Sequence, residues 1–198
     1  MTMDGLILAG GKSTRMGGKH KGDLLYRDQT FTGRIVQQFR QNAAHIWLSY
    51  GEVPGKTYEG CSVITDIYPG LGPIGGIYTC LTRCQSEAVM VAACDMPLIG
   101  TELFQYLSGR LAEEEKRSGI TYIAVVPVVE GRMHPLAAIY RIKIKERLKE
   151  QIMEKNYRIR DAFHAVDVLY VDLTREEKYR NMLRNINTVE EYEQLTGL

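Results

Sequence analysis

The sequence predicts an α/β fold of three layers, with a mostly parallel central sheet between two layers of helices. Three observations carry this. Short apolar runs alternate with amphipathic segments along the chain, the pattern of repeated βαβ units. A length of 198 residues, 44% hydrophobic and 25% charged, suits one globular domain with a substantial core. No internal repeat, low-complexity tract or Pro/Ser-rich linker divides the chain, so residues 1–198 are expected to form a single domain.

The expected strands are Leu6–Ala9, Ile46–Ser49, Ser62–Thr65, Val89–Ala93, Tyr122–Val126, Leu136–Tyr140 and Val168–Val171. Helices are expected between them. Phe31–Gln41 repeats apolar residues at Phe31, Ile35 and Phe39, and Pro73–Arg83 opens on a proline suited to a first helical position. Glu102–Arg117 aligns Leu103, Tyr106, Leu107 and Leu111 on one face, and Ile142–Lys155 and Val189–Leu195 complete the set. Open parallel sheets bind ligands beyond the carboxyl ends of their strands. That rule gathers the loops after Leu8, Ser49, Thr65 and Ala93 around one crevice.

The net charge of +1 argues against a general nucleic-acid binder, which carries a basic excess. No apolar run approaches the ~18 residues of a membrane span. Met3–Leu8 leads straight into a glycine loop rather than a signal peptide, so a cytoplasmic location without a membrane partner is expected. The cysteines are Cys61, Cys80, Cys84 and Cys94. Cys80 and Cys84 have helical spacing but no C-x-x-C and no neighbouring His, so packed thiols are expected.

The glycine loop is the most informative stretch. It reads Leu8-Ala9-Gly10-Gly11-Lys12-Ser13-Thr14-Arg15-Met16-Gly17-Gly18 and ends in Lys19-His20-Lys21. Adjacent glycines allow a sharp turn with exposed N–H groups, and cations follow at Lys12, Arg15, Lys19 and Lys21. A strand ending in such a turn suits a polyphosphate. It is not a Walker A loop, because Leu6 stands where G-x-x-x-x-G-K-[ST] requires its first glycine. A second feature is Val89-Met90-Val91-Ala92-Ala93-Cys94-Asp95-Met96-Pro97, an apolar run that delivers one carboxylate to the end of a strand. Mg²⁺ takes one or two carboxylates plus phosphate oxygens, so Asp95 is suited to hold it.

Gly70-Leu71-Gly72-Pro73-Ile74-Gly75 matches the dinucleotide pattern G-x-G-x-x-G. Four residues, Asp66 to Pro69, separate it from its strand where a tight turn is wanted, and Pro73 removes an N–H. Asp95 lies in a turn rather than at a ribose-reading strand tip. A nicotinamide-dinucleotide site is therefore disfavoured.

The L-A-G-G-x-S-x-R-M-G loop resembles the signature of sugar-nucleotide-type nucleotidyltransferases. Its Met-Gly-Gly form with the trailing Lys21-Gly22 is similar to the molybdenum cofactor guanylyltransferase (molybdopterin-guanine dinucleotide biosynthesis protein A) family. Asp66 with Gly72-Pro73-Ile74-Gly75-Gly76 resembles that family's D…G-P-L-x-G block, and Cys94-Asp95-Met96-Pro97 its metal block. His134-Pro135, the stretch around Arg158 and Arg160, and Asn185-Ile186-Asn187-Thr188-Val189-Glu190-Glu191 resemble its later blocks, with Val189 in place of the usual proline. Thr188 and Glu191 also form a capping-box pattern.

The resemblance implies a single-domain, Rossmann-like three-layer nucleotidyltransferase fold. It implies Mg²⁺-dependent transfer of GMP from GTP to the terminal phosphate of the molybdopterin cofactor, releasing pyrophosphate. Arg15 is then expected on the β- and γ-phosphates, Lys21 on the α-phosphate and Asp95 on Mg²⁺. Gly10 and Gly11 are expected to give backbone donors, and the backbone of Leu8, Ala9 and Gly10 to read guanine. Asp66 is expected on the nucleoside, with Gly75 admitting a close approach. His134, Arg158, Asn185 and Asn187 are expected to border the acceptor. No base is needed, since a phosphate nucleophile is already anionic, and the sequence carries no nucleophile–base signature. Cofactor-biosynthesis proteins and apo-molybdoenzymes are the partners such an enzyme implies. Ser49 stands where the family has a base-reading Asn, and a hydroxyl replaces only part of an amide. Transfer of CMP from CTP therefore stays open, as does a non-catalytic module that binds nucleotide or hands on the cofactor.

Overall fold

The computed structural model describes residues 1–10, 20–51 and 56–197. Along the chain lie β1 (Met3–Leu8), a 3-10 turn (Lys21–Asp23), the hairpin β2 (Leu25–Tyr26) and β3 (Gln29–Thr30), and α1 (Phe31–Phe39). Next come β4 (Ile46–Ser49), β5 (Cys61–Ile64), α2 (Pro73–Arg83), β6 (Ala88–Ala93) and α3 (Thr101–Ser118). After these run β7 (Ala124–Val129), β8 (Arg132–Met133), β9 (Ala137–Arg141) and α4 (Ile144–Met153). A 3-10 turn (Ile159–Ala165), β10 (Val168–Asp172), α5 (Glu177–Met182) and α6 (Val189–Thr196) complete the order.

The main sheet runs β10-β7-β9-β6-β1-β4-β5, with β8 paired to β7. β1 pairs parallel with both β4 and β6, β4 with β5, and β10 with β7. The mixed α/β architecture with a mostly parallel sheet is the one the alternating pattern predicts. The exceptions are β9, antiparallel to both β6 and β7, and the two-residue β8, antiparallel to β7. A parallel return needs a crossover of a dozen or more residues. The chain from Val129 to Ala137 is too short for one and turns instead at Glu130 and Gly131, both at positive φ (50° and 75°).

Strand side chains alternate between the two faces. Ile7, Met90 and Ala92 pack against α1 and α3 through Ile35, Phe39, Phe104 and Leu107. Leu6, Leu8, Val89 and Val91 pack on the other face against Ile74, Ile77, Ile144 and Leu148 of α2 and α4. β1 begins three residues before its expected start, through Asp4, because that buried carboxylate is satisfied. Trp47 Nε1 and Ser86 Oγ donate to it at 2.8 and 2.6 Å. Helix starts follow local chemistry: Thr30 accepts from the Gly33 N–H to cap α1, Pro73 opens α2, and Thr188 with Glu191 forms the capping box of α6. Among the described residues no helix is long and apolar enough to cross a membrane.

From β1 the chain moves outward to β4 and β5, then crosses back through α2 to β6 on the other side of β1. The strand order thus reverses between β1 and β6, and their carboxyl ends, Leu8 and Ala93, open a crevice there.

Candidate active site

A cavity of about 300 Å³ occupies that crevice, lined by Leu8, Gly10, Lys21, Pro73, Asp95 and Leu136 among others. Each wall is placed by its element. The Cys94 N–H donates to the Leu8 carbonyl at 3.0 Å, tying the two strands together past their ends. Asp95 follows directly. Its own carbonyl accepts from the Ile186 N–H at 2.7 Å, and Arg34 Nε holds the Pro97 carbonyl at 3.2 Å. The helix that follows is capped at Gly100, so Asp95 is not a helix cap.

Lys21 enters from the 3-10 turn. Its Nζ donates to Asn187 Oδ1 at 2.5 Å and lies 3.9 Å from Asp95 Oδ2. Asp95 Oδ1 is buried with no hydrogen-bond partner among the described residues. Burial pushes the Asp95 carboxyl above its ordinary value, and the Lys21 ammonium pulls it part of the way back. A buried hard oxygen lacking a donor, beside space for a ligand, fits one Mg²⁺ contact completed by phosphate oxygens and waters. Among the described residues no group of three His, Cys, Asp or Glu side chains could by itself hold a metal.

Asp66 and Gly75 do not line the cavity. Ser49, at the end of β4, donates its hydroxyl to Asp66 Oδ1 at 2.8 Å, and both residues are buried. Burial raises the Asp66 carboxyl, and the serine bond lowers it in part. Gly75, in the first turn of α2, lies over this carboxylate. A Cβ there would stand 2.8 Å from the Tyr68 carbonyl and 3.1 Å from Asp66 Oδ2, so only glycine lets α2 come this close. The side chain at position 49 therefore positions Asp66, a role that comparison with the expected Asn did not reveal.

The expected donor at Gly10 is corrected. The Ala9 and Gly10 N–H groups both donate to the Ser49 carbonyl, at 2.8 and 3.1 Å, because β1 continues its pairing with β4 beyond Leu8. Gly10 lines the cavity all the same, and its backbone lies so near Tyr50 that a Cβ would meet the Tyr50 carbonyl at 2.7 Å. Gly11 and Arg15 lie outside the described residues.

The candidates from the C-terminal half separate. Asn187 reaches the cavity through Lys21, held there by Glu191 Oε2, which accepts from the Asn187 and Thr188 N–H groups at 2.6 and 3.1 Å. Asn185 is half-buried one residue before the Ile186 contact to Asp95. His134 lines a second cavity, two residues before Leu136 in the first. Arg158 is exposed at the start of the 3-10 turn after α4 and lines neither cavity. The sequence reading also missed His20 and Pro73 as cavity-lining residues.

A carboxylate with one oxygen unbonded among the described residues and an ammonium, at the switch point of a parallel sheet, can orient a polyphosphate and neutralise charge on it. Comparison with known proteins agrees. Residues 5–168 match the family model described as MobA-like NTP transferase domain. A Clostridium perfringens protein described as "Probable molybdenum cofactor guanylyltransferase" is 35% identical over 196 residues, covering 96% of this chain and 93% of its own. The fold is shared with the Archaeoglobus fulgidus molybdopterin-guanine dinucleotide biosynthesis protein A (TM-score 0.77, 21% identity, 98% of this chain and 97% of that one). It is shared too with the Thermus thermophilus 2-C-methyl-D-erythritol 4-phosphate cytidylyltransferase (TM-score 0.68, 13% identity, 97% and 96%). Family match and relative together show that the chain belongs to the MobA-like NTP transferase family of nucleotidyltransferases.

Proposed function

We propose that this nucleotidyltransferase moves GMP from GTP to the terminal phosphate of the molybdopterin cofactor, forming molybdopterin guanine dinucleotide and pyrophosphate. The observation that carries the reading is Asp95 and Lys21 together in the cavity between β1 and β6, with Asp95 Oδ1 lacking a donor among the described residues. The likeness to a Clostridium perfringens protein described as a probable molybdenum cofactor guanylyltransferase supports the choice of nucleotide and acceptor.

An oxygen of the acceptor phosphate attacks the α-phosphorus of GTP. A P–O bond forms there while the bond to the β-phosphate oxygen breaks, and pyrophosphate leaves. Lys21, oriented by Asn187, stabilises the charge that grows on the α-phosphate. Arg15 holds the phosphates that leave. Asp66, fixed by Ser49 and covered by Gly75, receives the nucleoside. Asp95 holds Mg²⁺, which when bound neutralises phosphate charge. The attacking phosphate is already anionic, so positioning and electrostatics do the rest.

Calorimetry with GTP, CTP, ATP and UTP in the presence of Mg²⁺ tests the reading. GTP alone is expected to bind, and Lys21→Ala and Asp95→Ala are each expected to lower turnover about a hundredfold or more. A preference for CTP keeps the fold and mechanism but makes the enzyme a cytidylyltransferase, as the departure at Ser49 allows. Binding of NAD and of no triphosphate contradicts the reading and restores the Gly70–Gly75 motif.

A further inference from the structure

A second cavity of about 520 Å³ opens beside the first, lined by Glu130, Arg132, His134, Arg180, Asn181 and Arg184 among others. Three arginines line it against one carboxylate, and none of the three is ion-paired among the described residues. Its frame is stapled. The Glu130 N–H donates to Thr174 Oγ1 at 2.9 Å, joining the β7–β8 turn to the end of β10. Thr174 in turn donates through its N–H and hydroxyl to Asp172 Oδ1, at 2.9 and 2.5 Å, and its carbonyl accepts from Arg180 Nη1 at 3.2 Å. Burial and the Arg132 charge hold the His134 imidazole below its ordinary value, so near neutral pH it adds a hydrogen-bonding edge without a further charge.

One short segment walls both cavities, and a second runs from the second cavity to the partner of Lys21. His134-Pro135-Leu136 has His134 in the second and Leu136 in the first. The other begins at Leu183 and Arg184 in the second, passes Ile186 bonded to the Asp95 carbonyl, and ends at Asn187 bonded to Lys21. The second cavity is thus tied through these two segments to the surroundings of Asp95 and Lys21. Arginine presents a planar fork suited to carboxylate and phosphate oxygens and is more weakly hydrated than lysine.

We propose that the second cavity is an anion subsite, in which Arg132, Arg180 and Arg184 hold a negatively charged group of the acceptor other than the phosphate that attacks. The proposal rests on the transferase reading for the identity of that acceptor, but the anion site itself does not.

The test uses the full chain and the double variant Arg132→Gln/Arg184→Gln, both at exposed positions. Inorganic phosphate, titrated without nucleotide, is expected to shift the arginine Nε–H NMR signals of Arg132 and Arg184 in the unmodified protein. In pyrophosphate-release assays the double variant is expected to raise KM for the acceptor about tenfold or more, the scale of losing charge-assisted hydrogen bonds, with KM for GTP unchanged. Unshifted arginine signals, or an acceptor KM unchanged in a variant that turns over, overturns the proposal. Shifted signals in a protein that releases no pyrophosphate from GTP uphold the anion site and overturn the transferase reading alone.

Discussion

Burial of the Asp95 carboxyl raises its proton affinity in the folded state, and the sign of that shift decides how pH acts on the fold. Below the unfolded pKa both states are protonated and the group adds no penalty. As pH rises through the folded pKa the carboxylate must ionise in a poorly solvated place, and stability falls. Asp95→Asn removes that penalty. It is expected to melt higher than the native protein at pH 7, with the gap closing toward pH 4, while pyrophosphate release is lost. Melting curves at the two pH values check it. Ser49→Ala acts in the opposite sense. It leaves buried Asp66 Oδ1 without its donor, which costs about 1–3 kcal/mol in denaturant unfolding and weakens nucleotide binding. Gly75→Ala forces a methyl against the Tyr68 carbonyl and the Asp66 carboxylate, at about 1–3 kcal/mol by the same measurement. Asp95 was legible because an apolar run ended on Asp-Met-Pro. The bond from Lys21 to Asn187 was not, since 166 residues separate them and no local pattern joins them.

Among the elements, α6 reaches the site without lining it. Its capping box was readable from Thr188 and Glu191, but not the further bond by which Glu191 fixes the Asn187 N–H and so the partner of Lys21. Tyr192 also bonds the Leu25 carbonyl at 2.8 Å, seating α6 on the hairpin that follows the Lys21 turn. Glu191→Ala is therefore expected to cost about 1 kcal/mol, as losses at a helix cap do, and to reduce kcat more than KM for GTP. Steady-state kinetics beside thermal melts separate the two effects. Long periodic segments were read with boundaries near the true ones. α2 matches its expected span, Pro73–Arg83, because a proline opens it and Cys84 leaves helical geometry. The β2–β3 hairpin was missed because its turn uses Arg27 and Asp28 at φ 50° and 62°, without the glycine that announces such turns. α5 was missed because it is short and buries no side chain.

For the whole molecule, strand alternation fixed the layers, and the reversal of strand order between β1 and β6 fixed where the cavity lies. The direction of β9 depended on a connection length that residue pattern alone did not highlight. A ligand that binds only the folded state stabilises it by about 2.7 kcal/mol at a hundred times its Kd. GTP with Mg²⁺ is therefore expected to raise the melting temperature of the native protein and leave Asp95→Ala unmoved. The most direct measurement is pyrophosphate release by purified protein given GTP, Mg²⁺ and molybdopterin cofactor. The account predicts steady release that requires both substrates and falls about a hundredfold or more in Lys21→Ala and in Asp95→Ala. No release from the native protein, or near-native release from both variants, would contradict it.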